Sequence, residues 1–245
     1  FINPKLKELY GVDSMPQTAE NLAEQFNISR EDQDTFAFNS QQRTATAQAK
    51  GFFNKEIVAV EIPQRKGEPI VIDTDEHPRA STTLEGLNKL KPVVKADGSI
   101  TAGNASGIND GAAAILIASD DAIATYNLKP RAKIIAATVV GVEPRIMGFG
   151  PAPAIKKLLA QTGLTLEQMD VIELNEAFSA QALSVTRDLG LADDEARVNP
   201  NGGAIALGHP VGATGNRIVV TLMHELRRRG KRYGIASLCV GGGQG

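Results

Sequence analysis

The sequence has very little cysteine and histidine and no tryptophan. Among 245 residues there are one cysteine, Cys239, and three histidines. A single cysteine excludes an internal disulfide framework and a cysteine-based zinc cluster, and the histidines have no metal-ligand spacing. The sequence therefore predicts no metal site, and a reducing, cytoplasmic compartment fits it best.

Long apolar runs and an excess of one charge are also missing. The longest apolar run, residues 112–118, is far shorter than the roughly 18–20 residues of a transmembrane helix. The 26 basic residues nearly cancel the 28 acidic ones, so no overall field would draw nucleic acid or an anionic membrane to the protein. We expect a soluble globular protein that contacts neither, and that binds any anionic ligand locally.

Both ends of the sequence are expected to be cut. It opens at Phe1 rather than at Met and stops at Gly245 in a glycine run. The absence of a targeting peptide therefore carries little information.

The hydrophobic pattern predicts an α/β protein. In the first half the predicted elements are a short helix capped by Thr18, a longer helix from Ser29 to Lys50, a hairpin of residues 56–62 with 69–73, and a short helix near residues 83–87. In the second half they are strands at residues 112–118, 132–140, 171–174 and 233–240, and helices at 153–162, 176–189 and up to Arg229. A second domain is expected to begin near Leu128.

Residues 199–215, NPNGGAIALGHPVGATG, carry the strongest functional pattern. His209 lies between Gly208 and Pro210, just before a predicted helix. Glycines let the backbone pass close to a ligand, and the proline restrains the residue beside the histidine. The residues alone leave two interpretations open: a site built around the imidazole, or a loop whose glycines serve turns and whose histidine hydrogen-bonds within it.

Two further residues lie at the carboxyl ends of predicted strands, where α/β proteins place ligands. Cys239 is followed by Gly241-Gly242-Gly243, whose N–H groups suit an oxyanion, although a lone cysteine in a strand is more often a small buried hydrophobe. Asn175 follows the strand at 171–174, and a role as helix N-cap is a strong alternative.

Four segments resemble the motifs of the thiolase family, in the order and spacing of that family. They are TAGNASGINDGAA at 101–113, NEAF at 175–178, NGGAIALGHPVGATG at 201–215 and CVGGGQG at 239–245. The resemblance covers the whole chain. It implies the thiolase fold, a layered α-β-α-β-α arrangement of two similar halves, assembled as dimers or tetramers. It also implies a loop domain at 1–110, the end of the N-terminal half at 111–127 and the C-terminal domain at 128–245.

The resemblance also implies catalytic roles. His209 matches the histidine that takes the proton of a nucleophilic cysteine, which is expected upstream of this sequence. Cys239 matches the second cysteine, which exchanges a proton with the substrate carbon. Asn175, through a held water, and His209 match one oxyanion site, and the Gly241 N–H matches a donor of the other. Coenzyme A is then a substrate, and neither a metal nor a nicotinamide is used.

Binding roles follow from the same resemblance. The implied contacts with coenzyme A and the acyl group are Ser106 at the pantetheine arm, Arg79 near the nucleotide end, and Met147, Ala177 and Phe178 close to the reacting end. Arg79 as a solvated loop charge and Ser106 as a turn residue remain open alternatives. His77 and His224 are interpreted as a loop residue and a residue of an amphipathic helix.

The opening 23 residues and residues 187–203 resemble one subgroup, the degradative thiolases of aromatic-compound breakdown. This implies cleavage of 3-oxoadipyl-CoA to succinyl-CoA and acetyl-CoA in the β-ketoadipate pathway. A general fatty-acid or acetoacetyl-CoA thiolase is the alternative, and a non-catalytic acyl-CoA-binding fragment is the alternative of another class. The presence of His209, Cys239 and Asn175 favours an enzyme, and Cys239 favours a thiolase over a ketoacyl synthase. Without the nucleophile, these 245 residues alone are expected to be inactive.

Overall fold

A computed structural model describes residues 2–245 of the chain. The helices are α1 (Pro4–Tyr10), α2 (Met15–Gln25), α3 (Arg30–Ala49), α4 (Leu84–Asn88), α5 (Asp120–Thr125), α6 (Pro151–Thr162), α7 (Ser179–Asp188), α8 (Ala204–Leu207) and α9 (Thr214–Arg229), with 3₁₀ turns at Phe52–Lys55, Pro144–Phe149 and Leu166–Gln168. The strands are β1 (Val60–Ile62), β2 (Ile70–Ile72), β3 (Val171–Leu174) and β4 (Gly234–Ser237). Within residues 2–245, the helices lack the combination of length and apolar character that a bilayer crossing requires.

The long helix α3 confirms the prediction for residues 29–50. The Ser29 hydroxyl accepts the Asp32 N–H at 3.1 Å, and the Asp32 carboxylate accepts the Ser29 N–H at 3.2 Å, which forms a capping box. Gly51, with a φ of 66°, ends the helix in the left-handed conformation. Helix α3 therefore begins and ends on local signals that the sequence carries.

The predicted cap at Thr18 is wrong. Helix α2 begins one turn earlier, after Ser14, whose hydroxyl accepts the Gln17 N–H at 3.4 Å. Pro16 fits the first turn because no N–H is needed there. Thr18 lies inside the helix and donates its hydroxyl to the Met15 carbonyl at 2.7 Å.

The predicted hairpin is confirmed but is shorter than expected. Strands β1 and β2 pair antiparallel, with Val60 opposite Ile72 and Ile62 opposite Ile70. The hairpin is largely exposed to solvent. The short helix α4 follows at the predicted place.

The main core surrounds the parallel pair β3 and β4. Val171 lies opposite Gly234 and Leu174 opposite Ser237. All of β3 is buried, as expected for a strand covered on both faces. Helices α9 and α6 pack on this pair, and α7 packs on α6. The core cluster around the pair includes Ile155, Ile172, Leu174, Leu183, Val185 and Ile235. The predicted helix at 176–189 begins only at Ser179, and the predicted strand at 233–240 is limited to Gly234–Ser237.

Two predicted strands are wrong in this structure. Residues 112–118 form no strand, and Leu116 is 83% exposed. Residues 132–140 form none either, and Ile134 is 65% exposed. A β-strand needs hydrogen-bonding neighbours, and among residues 2–245 the one pairing near these segments joins residues 140–142 to the last three residues. Their apolar patterns are therefore those of strands without partners.

We expect residues 1–245 produced alone to aggregate, because these two segments expose apolar side chains and unpaired backbone. Light scattering and the fluorescence of a hydrophobic dye measure this as the protein concentration rises. The double variant Leu116→Lys, Ile134→Lys should aggregate less, whereas Val211→Lys, at an exposed loop position, should not differ from the parent. A monodisperse protein that leaves the dye dark contradicts the expectation.

Candidate active site

The extended segment 104–109 holds the loop that carries Ala177 and Phe178. The Ser106 N–H donates to the Ala177 carbonyl at 3.0 Å, and the Ser179 N–H donates to the Asn104 carbonyl at 2.8 Å. Between these bonds, residue 105 pairs antiparallel with Phe178. The backbone thus brings Ser106, predicted to contact pantetheine, directly beside the predicted reacting end.

The same segment holds the His209 loop. The His209 N–H donates to the Gly107 carbonyl at 3.0 Å and also points to the Asn109 side-chain oxygen at 3.2 Å. Gly208, with a φ of 92°, packs so closely on the Asn109 amide that a Cβ there would lie 2.5 Å from its oxygen. Segment 104–109 is therefore the strip of backbone that joins the two loops carrying most of the predicted site residues.

The side chain of His209 is held through its Nδ1 atom. Nδ1 lies 2.7 Å from Thr214 Oγ1, and the Thr214 hydroxyl donates to the Pro210 carbonyl at 2.9 Å. The Thr214 hydroxyl has one proton, which it donates to the carbonyl, so toward His209 it acts as the acceptor of Nδ1–H. The Nε2 atom of the neutral ring therefore keeps its lone pair. Burial, and secondarily the positive charge of Arg217, lower the pKa of His209. The arrangement yields a neutral imidazole able to act as a base through Nε2.

Cys239 lies two residues beyond β4, in a small apolar cluster drawn from separate parts of the chain. The cluster comprises Met147, Ala177, Cys239 and the partly buried Phe178. Cys239 is 8% exposed, and burial raises the pKa of its thiol to about 11. At neutral pH the group is a thiol, the form that can donate a proton. Four of the predicted site residues are thus in one contact cluster.

Asn175 lies at the carboxyl end of β3. Its N–H donates to the Ser237 carbonyl at 2.9 Å, which continues the parallel pair toward Cys239. The N-cap interpretation is wrong, because α7 begins only at Ser179 and has no side-chain cap. The Asn175 amide is fully buried, and within residues 2–245 neither its nitrogen nor its oxygen has a hydrogen-bond partner. Burial of such a group is costly unless a ligand or a held water completes it.

Gly241 opens a tight turn after Cys239. Residues 240 and 244 pair with each other, and Gly242 and Gly243 have φ angles of 87° and 92°. A Cβ on Gly243 would lie 2.1 Å from the Val142 carbonyl oxygen, so glycine is required there. Gly241 itself is exposed, and its N–H donates to no backbone carbonyl among residues 2–245. That N–H is available to an oxyanion.

Arg79 and His77 lie on the loop before α4. The Arg79 N–H donates to the Gln41 side-chain oxygen at 2.8 Å, and the residue as a whole is exposed, so the solvated-charge alternative stays open. His77, interpreted as a plain loop residue, packs against the site: a Cβ on Gly107 would lie 2.2 Å from His77 Nε2. Burial, and then the charge of Arg79, lower the pKa of His77. His224 lies half-buried on α9, as predicted.

Comparison with known proteins identifies the family and close relatives. Residues 1–121 match the model of the thiolase N-terminal domain, and residues 128–245 match that of the thiolase C-terminal domain. The whole chain is 76% identical to a β-ketoadipyl-CoA thiolase of Acinetobacter baylyi and 57% identical to a 3-oxoadipyl-CoA/3-oxo-5,6-dehydrosuberyl-CoA thiolase of Escherichia coli. It spans 61% of the length of each of these relatives.

Solved structures resemble the chain over most of its length. The acetyl-CoA acetyltransferase of Bacillus anthracis superimposes with a TM-score of 0.90 at 50% identity, over 94% of this chain and 58% of its own. Human mitochondrial 3-ketoacyl-CoA thiolase in complex with CoA superimposes with a TM-score of 0.85 at 47% identity, over 94% of this chain and 56% of its own.

Proposed function

The chain belongs to the thiolase family, and from this premise we propose that the complete protein cleaves 3-oxoadipyl-CoA with coenzyme A to give succinyl-CoA and acetyl-CoA. One observation carries the proposal: Asn175 and Cys239 follow the carboxyl ends of β3 and β4, and segment 104–109 hydrogen-bonds both to His209 and to the loop that follows Asn175. The relatives at 76% and 57% identity are a β-ketoadipyl-CoA thiolase and a 3-oxoadipyl-CoA/3-oxo-5,6-dehydrosuberyl-CoA thiolase, which supports this substrate.

The first half of the reaction uses His209. Its Nε2 takes the proton of a nucleophilic cysteine that lies outside this sequence, and the thiolate attacks the 3-oxo carbon of the substrate. Negative charge develops on the oxygen of the 3-oxo group. As the carbonyl re-forms, the bond between C2 and C3 breaks, which leaves the succinyl group on the cysteine and the electron pair on the acetyl-CoA carbon.

Cys239 completes the cleavage by donating its proton to that carbon, giving acetyl-CoA. Before this proton transfer, negative charge lies on the thioester oxygen of the departing acetyl-CoA. Two groups of donors stabilise such oxyanions: the buried amide of Asn175 together with His209, and the free N–H of Gly241. The thiol of coenzyme A then gives its proton to the Cys239 thiolate and attacks the succinyl thioester. Succinyl-CoA is released, and the displaced thiolate of the nucleophilic cysteine takes back its proton from His209. Coenzyme A is a substrate, and no step is assigned to a metal or a nicotinamide.

The binding roles are proposed on the same basis. Ser106 contacts the pantetheine arm, and this is supported by its hydrogen bond to the Ala177 carbonyl beside the Cys239 cluster. Met147 and Phe178 line the reacting end, and Arg79 lies toward the nucleotide. The complete protein is proposed to be a cytoplasmic homo-oligomer, a dimer or a tetramer, and light scattering after size-exclusion chromatography measures its mass.

For substrate, we expect the complete enzyme to prefer the dicarboxylic 3-oxoadipyl-CoA over an uncharged 3-oxoacyl-CoA of equal chain length by at least about tenfold in kcat/KM. A pocket that pairs a substrate carboxylate leaves its polar groups unpaired when that carboxylate is missing. Steady-state thiolysis assays on the two substrates test this. Acetoacetyl-CoA is the third substrate, because a relative from Chromobacterium violaceum at 52% identity is an acetyl-CoA acetyltransferase. A preference for either uncharged substrate contradicts the assignment.

A further inference from the structure

Glu176 is a fully buried glutamate that follows Asn175 directly in the chain. It contributes nothing to the chemistry described above. We propose that Glu176 is a positioning residue that fixes His209 relative to Asn175, a role that rests on the proposed function. The proposal follows from its contacts with three separate segments.

Three donors meet at the Glu176 carboxylate. The Ser40 hydroxyl of α3 donates at 2.6 Å, the Asn199 side-chain amide donates at 2.8 Å, and the Ile205 N–H donates at 3.3 Å. Because every partner is a donor, the group accepts all three bonds as a carboxylate. Charge-assisted hydrogen bonds of this kind are the stronger ones, and they offset part of the cost of burying the charge. Burial still raises the pKa of Glu176, and these three hydrogen bonds oppose that rise.

The glycine-rich loop, residues 199–215, packs directly on this carboxylate. A Cβ on Gly203 would lie 2.3 Å from the Glu176 carboxyl carbon, so no larger residue fits there without displacing the loop. The Gly203 N–H donates to Ser40 Oγ at 3.1 Å, and the Ser40 proton goes to Glu176. Helix α3, the carboxylate and the loop therefore form one connected unit.

This connected unit contacts residues that directly precede Asn175 and residues just before His209, the two side chains proposed for one oxyanion site. Ile205 lies in the single-turn helix α8, which ends at Leu207, two residues before His209. Asn199 also bonds both backbone groups of Leu174, at 2.8 Å each, and Leu174 immediately precedes Asn175. The carboxylate thus connects the start of the loop, the residues just before the imidazole and the end of β3. Loss of its bonds frees His209 to move relative to Asn175.

The test compares variants of the complete enzyme. Glu176→Gln keeps the side-chain size but puts an amide donor against at least one existing donor. Ser40→Ala removes the hydroxyl that links Glu176 to Gly203. Ser184→Ala is the matched control, because its buried hydroxyl donates at 2.8 Å only within its own helix α7, to the Gln181 carbonyl.

The readout is kcat per active site, with active sites counted from the burst of acyl-enzyme, together with KM for coenzyme A. Misplacing a catalytic group by about 1 Å can cost roughly 100-fold in rate. We expect about that loss in kcat per active site for Glu176→Gln and about tenfold for Ser40→Ala. KM should stay within about threefold, since binding residues are untouched. Ser184→Ala should match the parent.

Several results overturn the proposal. If Glu176→Gln merely lowers the number of active sites while kcat per site stays at the parental value, its role is structural stability alone. Should Glu176→Gln fail to fold, Ser40→Ala decides: an unchanged kcat per site refutes the role, and a loss that Ser184→Ala does not share supports it. A parent enzyme that cleaves no 3-oxoacyl-CoA refutes the proposed function itself, and the inference with it.

Discussion

Replacing Cys239 by serine in the complete enzyme is expected to lower carbon–carbon bond cleavage by at least about 10³-fold, within the range for loss of a general acid. Acylation of the nucleophilic cysteine by an acyl-CoA should remain measurable, because the role proposed for Cys239 is confined to the substrate carbon. Burial raises the pKa of Cys239 to about 11, so roughly one thiol in 10⁴ is ionised at pH 7. A serine hydroxyl fills nearly the same space but is a far weaker acid.

The two half-reactions are measured separately, as thiolysis of the 3-oxoacyl-CoA and as transfer of a labelled acyl group to the protein. Ser237→Ala, a buried change two residues away at the end of β4, serves as the control and should retain both activities. Normal thiolysis by Cys239→Ser removes the proton-transfer role.

Replacing His209 by alanine is expected to lower both half-reactions by about 10²–10⁴-fold, because in the proposed mechanism the nucleophile loses its base and one oxyanion loses its donor. Alkylation of the nucleophilic cysteine at pH 7, followed by peptide mass spectrometry, should slow as well. In the parent enzyme the acylation rate should fall as the pH drops through the His209 pKa, since protonation removes the lone pair on Nε2. Burial and Arg217 lower that pKa, so the midpoint should lie below the usual value of about 6.5.

Thr214→Val is the matched variant for His209. It keeps the ring but removes the oxygen that accepts from Nδ1 at 2.7 Å. An intermediate loss of about fivefold is expected, because a net hydrogen bond contributes roughly 1 kcal/mol. If His209→Ala acylates at the parental rate, another group is the base.

The elements that the sequence predicts well are those that depend on local signals. Helix α3 begins at a capping box of Ser29 with Asp32 and ends at Gly51, and each signal lies within a few residues of the boundary that it sets. The predictions of strands at 112–118 and 132–140 were wrong, because a strand forms only where neighbouring strands of a sheet pair with it. The thiolase fold predicted from the motifs is confirmed by the likeness to solved thiolases at TM-scores of 0.85 to 0.90.

The candidate site divides in the same way. His209, Cys239 and Asn175 could be found because each lies in a motif with its own glycines or at a strand end. Thr214 and Glu176 could not, because their importance comes from partners that the fold brings near, as Ser40 is brought to Glu176 from 136 positions away. His77 carried no signal, since its neighbour Gly107 lies 30 residues later and contacts it only in the folded chain.

Segment 104–109 has a thermodynamic consequence. It donates to the Ala177 carbonyl through Ser106 and accepts from His209 through Gly107, two adjacent residues of one short stretch of backbone. With coenzyme A bound at Ser106, as proposed, the ligand and the proton on His209 act on the same short stretch of backbone. Linkage requires that any coupling between the two be reciprocal. If bound coenzyme A changes the proton affinity of His209 by some factor, protonation of His209 changes the affinity for coenzyme A by the same factor. A single titration of coenzyme A binding against pH measures both quantities at once.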